Sequence, residues 1–386
     1  MLSKRLEHFE TGIFALLTLK RNELIAQGKK VYDLYVGTPD FAIDEEIRAA
    51  VINAAQNPDC YKYSLIDSNE MLDAVVAYYK RRYGVEISRD IVTSVNGSQD
   101  GICHLGLALC NEGDIVLLPD PGYPVFEAGA FLGGATVYYY PLVKENSFLP
   151  NLKEIPEDVL KKTKYIITSY PSNPCGAVAP KEMYVELIAL AKKYGFYIIN
   201  DNAYSDIVFD GIEGYSFLSL DGAREVGVEF FSLSKSYNTT GARISFCIGN
   251  KEIVDALKLI RSQYDFGMFT PVQKAAIAAL NSDLSKVKAQ CGEYQRRRDT
   301  LCGGLRKIGW EVPDSKGTMF VWAPIPPSYK TSMDFWNALV DKTGVICTPG
   351  NAFGPKGEGY VRFALVSTVE RLQEIVDVIG KSGVIR

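Results

Sequence analysis

The sequence predicts an α/β protein with helices on both faces of a mostly parallel sheet, followed by a smaller α+β domain. Three observations predict it. From about residue 44 to 285, amphipathic helical periods alternate with short β-branched and aromatic runs. After Ser282 the pattern changes to one long charged helix and then to mixed strands and helices. The chain has 386 residues, more than one core of roughly 100–200 residues usually organises.

The strand candidates, in order, are Ile91–Val95, Ile115–Leu118, Thr136–Tyr140, Tyr165–Thr168, Phe196–Ile199, Phe230–Leu233 and Ile244–Ile248, enough for a seven-stranded sheet. Helical spacing lies between them: Ile102, Leu105 and Leu109 share a face, as do Met183, Leu187, Leu190 and Ala191. The long helix runs through Tyr294-Gln295-Arg296-Arg297-Arg298-Asp299. Its three arginines, flanked by Glu293 and Asp299, read as a solvated face. The segment before residue 42 has no sheet pattern of its own and is expected to join the small domain or to reach toward a partner subunit. The expected division is 42–288 for the large domain, and 1–41 with 289–386 for the small one. No repeat of 20–50 residues and no low-complexity linker interrupts it.

Composition excludes several function classes. Lys plus Arg is 42 against 46 for Asp plus Glu, a net charge of −4, so bulk charge recruits no nucleic acid. With 47% hydrophobic residues and no tract of about 18 apolar residues, neither disorder nor a membrane span is expected. Only His8 and His104 exist, which excludes a multi-histidine metal centre. The eight cysteines are scattered without a CxxC pair and read as reduced core thiols. The N-terminus mixes Lys4, Arg5, Glu7 and Glu10, and its apolar stretch Ile13–Leu19 is short and lacks a cleavage signal, so the cytoplasm is the expected compartment.

Chemistry-bearing clusters fall just after the carboxyl ends of strands, where open α/β sheets collect ligands. Asn96-Gly97-Ser98-Gln99 opens a helix whose free N–H groups suit a phosphate, or Ser98 is a plain N-cap. No GxGxxG opens a helix after a strand and no GxxxxGK[ST] occurs, which removes the main support for nicotinamide and P-loop chemistry. Ser232-Leu233-Ser234-Lys235 ends an apolar strand. A lysine there is either solvated or, when desolvated, able to attack a carbonyl and form a Schiff base. Arg243, eight residues on, suits bidentate phosphate binding beside the two serine hydroxyls. Asp201-Asn202-Ala203-Tyr204 follows another strand, and Ser172-Asn173-Pro174-Cys175-Gly176 follows the one before it. Asp201 suits a protonated ring nitrogen, and Tyr204 and Asn173 suit a ring oxygen, although Asn-Pro-x-Gly alone is a common turn.

Taken in order, Tyr63, Gly97-Ser98, Tyr123, Asn173, Asp201, Tyr204, Ser-x-Ser-Lys235, Arg243 and Arg362 resemble the fold type I, pyridoxal-phosphate-dependent aminotransferases of class I/II over essentially the whole chain. The resemblance implies the three-layer αβα large domain of that fold and pyridoxal 5′-phosphate as cofactor. It makes Lys235 the catalytic lysine that carries the cofactor and shuttles a proton at substrate Cα. Asp201 partners the pyridinium nitrogen, Tyr204 and Asn173 the ring O3′, and Tyr123 stacks on the ring, unless it is only core packing. Gly97, Ser98, Gln99, Ser232, Ser234 and Arg243 hold the phosphate, with Tyr63 reaching in from the other subunit of a homodimer. Arg362 grips the substrate α-carboxylate, helped by Asn173 and the Gly37 N–H; a structural ion pair is its alternative role.

The implied reaction is a ping-pong exchange between an L-amino acid and a 2-oxo acid, a step typical of amino-acid biosynthesis. Finer resemblance, through 201–210, 227–230 and 265–269, points to the LL-diaminopimelate, alanine and aspartate aminotransferase-like branch, with glutamate as one partner. The chain departs from the family at Cys175, Ser245 and Ser68, and carries Gly12 and Gln263 where diaminopimelate users usually show tyrosine and asparagine. Two other functions fit the same scaffold, a C–S β-lyase and a non-catalytic sensor. Against the sensor stands the full set of reacting side chains and the lack of an appended nucleic-acid-binding segment.

Overall fold

Alternate residues of the strands enter two different cores, and that alternation builds the layers. In the computed structural model, which describes residues 3–9 and 12–386, the strands are β1 (Tyr32–Asp33), β2 (Val92–Val95), β3 (Ile115–Asp120), β4 (Thr136–Pro141), β5 (Thr163–Thr168), β6 (Tyr197–Asn202), β7 (Gly227–Ser232), β8 (Ser245–Gly249), β9 (Phe320–Pro324), β10 (Val345–Ile346), β11 (Thr348–Pro349) and β12 (Tyr360–Ala364). The central sheet has the order β2-β8-β7-β6-β5-β3-β4. Only β8 runs antiparallel to its neighbours. On one face, Leu117, Ile166, Ile198 and Phe231 pack with the helices Asn69–Tyr83, Lys181–Tyr194 and Thr270–Asn281. On the other, Val116, Ile167, Ile199 and Phe230 pack with Ser98–Leu109, Phe126–Leu132 and Lys251–Tyr264. The expected seven-stranded, three-layer fold is therefore observed.

A third core gathers β9, β12, the helices Ser332–Thr343 and Val369–Ser382, and one side of the long helix Ser285–Lys307. Its sheet is antiparallel in the order β11-β12-β9. The N-terminal segment joins this core through Leu17 and Leu24 and through β1, which pairs in parallel with β10. A two-residue strand is too short to show a period, which is why no sheet pattern was visible before residue 42. Glu10 and the rest of residues 1–2 and 10–11 lie outside the described residues.

One expectation is corrected and one alternative is closed. Arg297 and Arg298 are not solvated: they are 4% and 3% exposed. Only Arg296 remains in solvent, paired with Glu293. Beside the local Glu293 and Asp299, each buried arginine has a second carboxylate, Asp40 or Asp210, that lies far away in sequence, so local charge pattern could not reveal it. The N-cap reading of Ser98 also fails. The helix begins at Ser98 and its cap is Gly97, at φ +88, with no side-chain cap.

The eight cysteines are all free thiols, six of them buried. Among the described residues no helix is long and apolar enough to cross a membrane.

Candidate active site

Thirteen of the fourteen expected site residues line one cavity of about 760 Å³ at the carboxyl ends of β5, β6 and β7. The strand ends supply the reacting groups in turn. Chain leaving β7 forms the single-turn helix Leu233–Ser236, capped by Ser232, whose hydroxyl accepts from the Ser234 N–H at 3.2 Å. That turn presents Lys235, whose Nζ donates to the Gly37 carbonyl at 2.5 Å. Burial, together with the nearby Arg362 and Arg243 charges, lowers its pKa to about 8; Asp201 pulls the other way.

Asp201 lies near the end of β6, 9% exposed, and its Oδ1 has no hydrogen-bond partner among the described residues. Burial raises its pKa to about 7, against the opposing pull of Ser98 and Lys235. A buried carboxylate left unpartnered is costly, and a cationic N–H donor would satisfy it. Next to it, the buried Tyr204 ring meets Phe320 edge-on at 5.8 Å. Tyr123 also lines the cavity, edge-on to Phe126 at 5.9 Å.

The phosphate-type cradle is built where the helix Ser98–Leu109 starts. A Cβ on Gly97 would meet Arg243 Nη2 at 2.3 Å, so the bare backbone and the guanidinium close on each other. Arg243 itself is at φ +52, held by a 3.1 Å bond from Nη1 to the Thr240 carbonyl. Ser98 Oγ donates to Ser245 Oγ at 3.2 Å. Ser245, a departure from the family pattern, thus adds a hydroxyl beside the cradle. Asn96 is pinned by Asp265 at 2.8 Å, and Arg261 bonds Asp265, the Ser94 carbonyl and the Phe266 carbonyl.

Across the cavity, Arg362 projects from β12 and is 1% exposed. Its Nη1 donates to Asn173 Oδ1 at 2.7 Å and its Nη2 to the Tyr35 carbonyl at 2.8 Å. Nε has no partner among the described residues. No carboxylate pairs with it: Phe320, Phe353 and Phe14 surround it at 4.0, 4.7 and 5.6 Å, and burial lowers its pKa to about 10. The ion-pair alternative for Arg362 therefore has no acid to rest on among the described residues.

Tyr63 is the residue that does not join this cavity. It is 87% exposed, with its ring near Phe266 at 6.1 Å. Sequence reading missed Phe14 and Phe320, which line the cavity, and noted Ser245 only as a departure from the family pattern. Phe320 packs so closely on Gly37 that a Cβ there would lie 2.4 Å from its ring; an aromatic residue in an apolar strand carries no local mark of that role. The other departures are structural. Ser68 caps a helix by accepting from the Met71 N–H at 3.3 Å, and Cys175 is buried with Trp322 and Phe353. Gly12 and Gln263 do not line the cavity; Gly12 precedes the helix Ile13–Ala26 and Gln263 is exposed.

The fit to pyridoxal phosphate is thus favourable: an unpartnered buried carboxylate, a lysine shifted toward its neutral form, and a cradle that only glycine leaves open. Comparisons with known proteins agree. Residues 29–379 match the family model described as aminotransferase class I and II. The chain is 42% identical over 375 residues to an LL-diaminopimelate aminotransferase of Dehalococcoides mccartyi, covering 97% of this chain and 96% of that protein. It is 43% identical over 378 residues to one of Aquifex aeolicus, covering 97% of each. Among solved structures, apo BacF of Bacillus subtilis superposes with a TM-score of 0.95 at 35% identity, covering 99% of this chain and 98% of that one.

Proposed function

Because this chain belongs to the class I and II aminotransferases, pyridoxal-phosphate-dependent transaminases, we propose that it moves an amino group between glutamate and a 2-oxo acid, with LL-diaminopimelate as the first candidate for the other amino acid. The names of the relatives carry that candidate, and alanine and aspartate follow it. Elimination at Cβ is not favoured, since relatives similar along nearly the whole chain are named as transaminases.

The observation that carries the site assignment is the meeting of Lys235, the unpartnered Asp201 and the carboxylate-free Arg362 in one cavity. Pyridoxal phosphate, when bound, supplies the carbonyl that takes up the amino group and the ring that accepts electron density from Cα. Lys235 Nζ, lowered to about 8, holds the cofactor between turnovers and takes the proton from substrate Cα as general base. Asp201 keeps the ring nitrogen protonated. Tyr204 and Asn173 donate to the ring oxygen, and Tyr123 covers one ring face. Gly97, Ser98, Gln99, Ser232, Ser234 and Arg243 hold the phosphate. Arg362, with Asn173 and the Gly37 N–H, orients the α-carboxylate and excludes water from it.

The same reading makes the chain a cytoplasmic homodimer in which Tyr63 completes the partner's phosphate site. It divides the chain into a cofactor-binding domain at 42–288 and a small domain at 1–41 and 289–386. The test is the visible spectrum of the purified enzyme before and after glutamate. A band near about 360–430 nm that shifts toward about 330 nm establishes amino-group uptake. A Lys235→Ala variant that kept full turnover would sink the assignment. Pyruvate and ammonia released from a single amino acid without an acceptor would instead support the lyase.

A further inference from the structure

Two of the three arginines in the Arg296–Arg298 run are buried, and the reaction as derived uses neither. Arg298 binds away from the Gly37 segment: its Nη1 and Nη2 each donate to Asp210 at 2.8 Å, Nη1 also to the Ser315 carbonyl at 2.9 Å, and Nε to Asp299 at 2.8 Å. Arg297 does something different. Its Nη1 donates to Asp40 Oδ1 at 2.6 Å and to the Leu365 carbonyl at 2.9 Å, and its Nη2 to Asp40 Oδ2 at 3.1 Å. Its Nε donates to Glu293 at 3.2 Å, and the Phe41 ring lies under the guanidinium at 4.5 Å.

Asp40 stands three residues after Gly37, and Leu365 stands three residues after Arg362. One side chain therefore joins the two segments that converge on the substrate α-carboxylate. The attachment matters because few hydrogen bonds hold the first segment. Its start is fixed to the small sheet by the Ala364 N–H to the Leu34 carbonyl at 2.8 Å and by Thr348 and Arg362 to the Tyr35 carbonyl. Beyond Tyr35, among the described residues, the hydrogen bonds of 36–41 are limited to Lys235 on Gly37 and Arg297 on Asp40. The lysine bond cannot persist while that lysine works on the substrate. Arg297 is then the remaining hydrogen-bond anchor.

We infer that Arg297 is a positioning residue for the substrate carboxylate, clamping the Gly37 segment against the end of β12 through Asp40 and Leu365 so that Gly37 and Arg362 stay at fixed separation. The inference rests on the assignment of Arg362 to the α-carboxylate. A planar fork is needed, since two carboxylate oxygens and a carbonyl are held at once, and a lysine point charge cannot reproduce it.

The test uses the holoenzyme. In Arg297→Lys, KM for glutamate should rise at least about tenfold while kcat and the cofactor band stay near wild type, because misplacement affects the carboxylate contact and not the reacting atoms. Reaction with 4-aminobutyrate, which is glutamate without the α-carboxylate, should be unchanged. Asp40→Asn should give the same split, which keeps the test open if the lysine variant folds poorly. Arg298→Lys, on the same helix, should leave KM unchanged. An unaltered KM in both Arg297→Lys and Asp40→Asn, or equal losses with glutamate and 4-aminobutyrate, overturns the inference. If Arg362→Leu leaves KM for glutamate unchanged, the carboxylate assignment itself fails; if Arg362→Leu raises it and the clamp variants do not, only the clamp fails.

Discussion

Burial, rather than neighbouring charge, is the largest influence on the ionisation of Asp201, Lys235 and Arg362. Asp201 is raised to about 7, Lys235 lowered to about 8 and Arg362 lowered to about 10, each with desolvation as the largest cause. For cofactor-free protein the sign follows from linkage. Between an unfolded value of 3.8 and a folded value of about 7, the folded state retains the Asp201 proton that the unfolded chain has released. Stability therefore falls as pH rises through that window and is flat above it, with at most about 4 kcal/mol at stake. Asp201→Asn should lack this slope and be the more stable protein at pH 7 and above, as urea unfolding across pH would read. Lys235 acts in a separate window, from about 8 to 10.5, where stability rises with pH because the unfolded chain binds the extra proton. With the cofactor bound, Asp201 has its cationic partner and its slope should disappear; persistence in the holoenzyme would deny the pairing. At the other end of the cavity, Arg362→Leu should weaken α-carboxylate substrates by about 2–5 kcal/mol, since a desolvated charge pair is lost. Equal KM values in variant and wild type would return Arg362 to a structural role.

The proposed phosphate site rests on one element, the start of the helix Ser98–Leu109. Gly97 is at φ +88, and a Cβ there would collide with Arg243 Nη2 at 2.3 Å. Gly97→Ala should therefore displace the guanidinium and strain the turn. The expected cost is about 1.5–3 kcal/mol for each charge-assisted hydrogen bond lost to the phosphate. Equilibrium dialysis of the cofactor measures it, and an unchanged cofactor affinity would mean that the cradle lies elsewhere. What the sequence revealed and what it hid divide along physical lines. The seven strands were legible because each is a short run of β-branched or aromatic residues entering two cores by alternation. Lys235, Asp201 and Asn173 stood out in the sequence because they lie at or just beyond strand ends, where an open sheet gathers ligands, and the structure brings them to one cavity. Arg297 was misread because Glu293 and Asp299 offered local partners, whereas Asp40, the carboxylate that takes it into the interior, is 257 positions away. Strand β1 was missed because two residues carry no period. The two roles open to Ser98 could not be told apart in the sequence because a hydroxyl at a helix start looks alike whether it caps the backbone or faces Ser245 beside a cradle.

On the scale of the whole molecule, the cradle and the exposed surface share one support. Arg261, 4% exposed, binds Asp265, which holds Asn96 beside Gly97, and also binds the Phe266 carbonyl at 2.7 Å. From there the chain meets the loop that carries Tyr63: Gly267 N–H donates to the Ser64 carbonyl at 2.7 Å, and the rings of Tyr61 and Phe269 meet at 5.6 Å. Tyr61, Tyr63, Leu65, Ile66, Phe266 and Phe269 all lie exposed in these two segments. An apolar surface so concentrated suits a second copy of the chain. If Tyr63 works in the partner's cavity, each active site is assembled from two chains, and two inactive variants should restore each other. Tyr63→Ala lacks the donated residue but keeps Lys235; Lys235→Ala lacks the base but keeps Tyr63. Random reassociation of equal amounts puts half of the protein into mixed dimers, each with one intact site, so activity should return to about a quarter of the wild-type level. A parental Tyr63→Ala enzyme with full activity would remove Tyr63 from the site. An impaired parent with no recovery on mixing would place Tyr63 in its own chain's chemistry, against its 87% exposure. Recovery requires that the cavity at the end of β7 be closed by a residue from the other subunit.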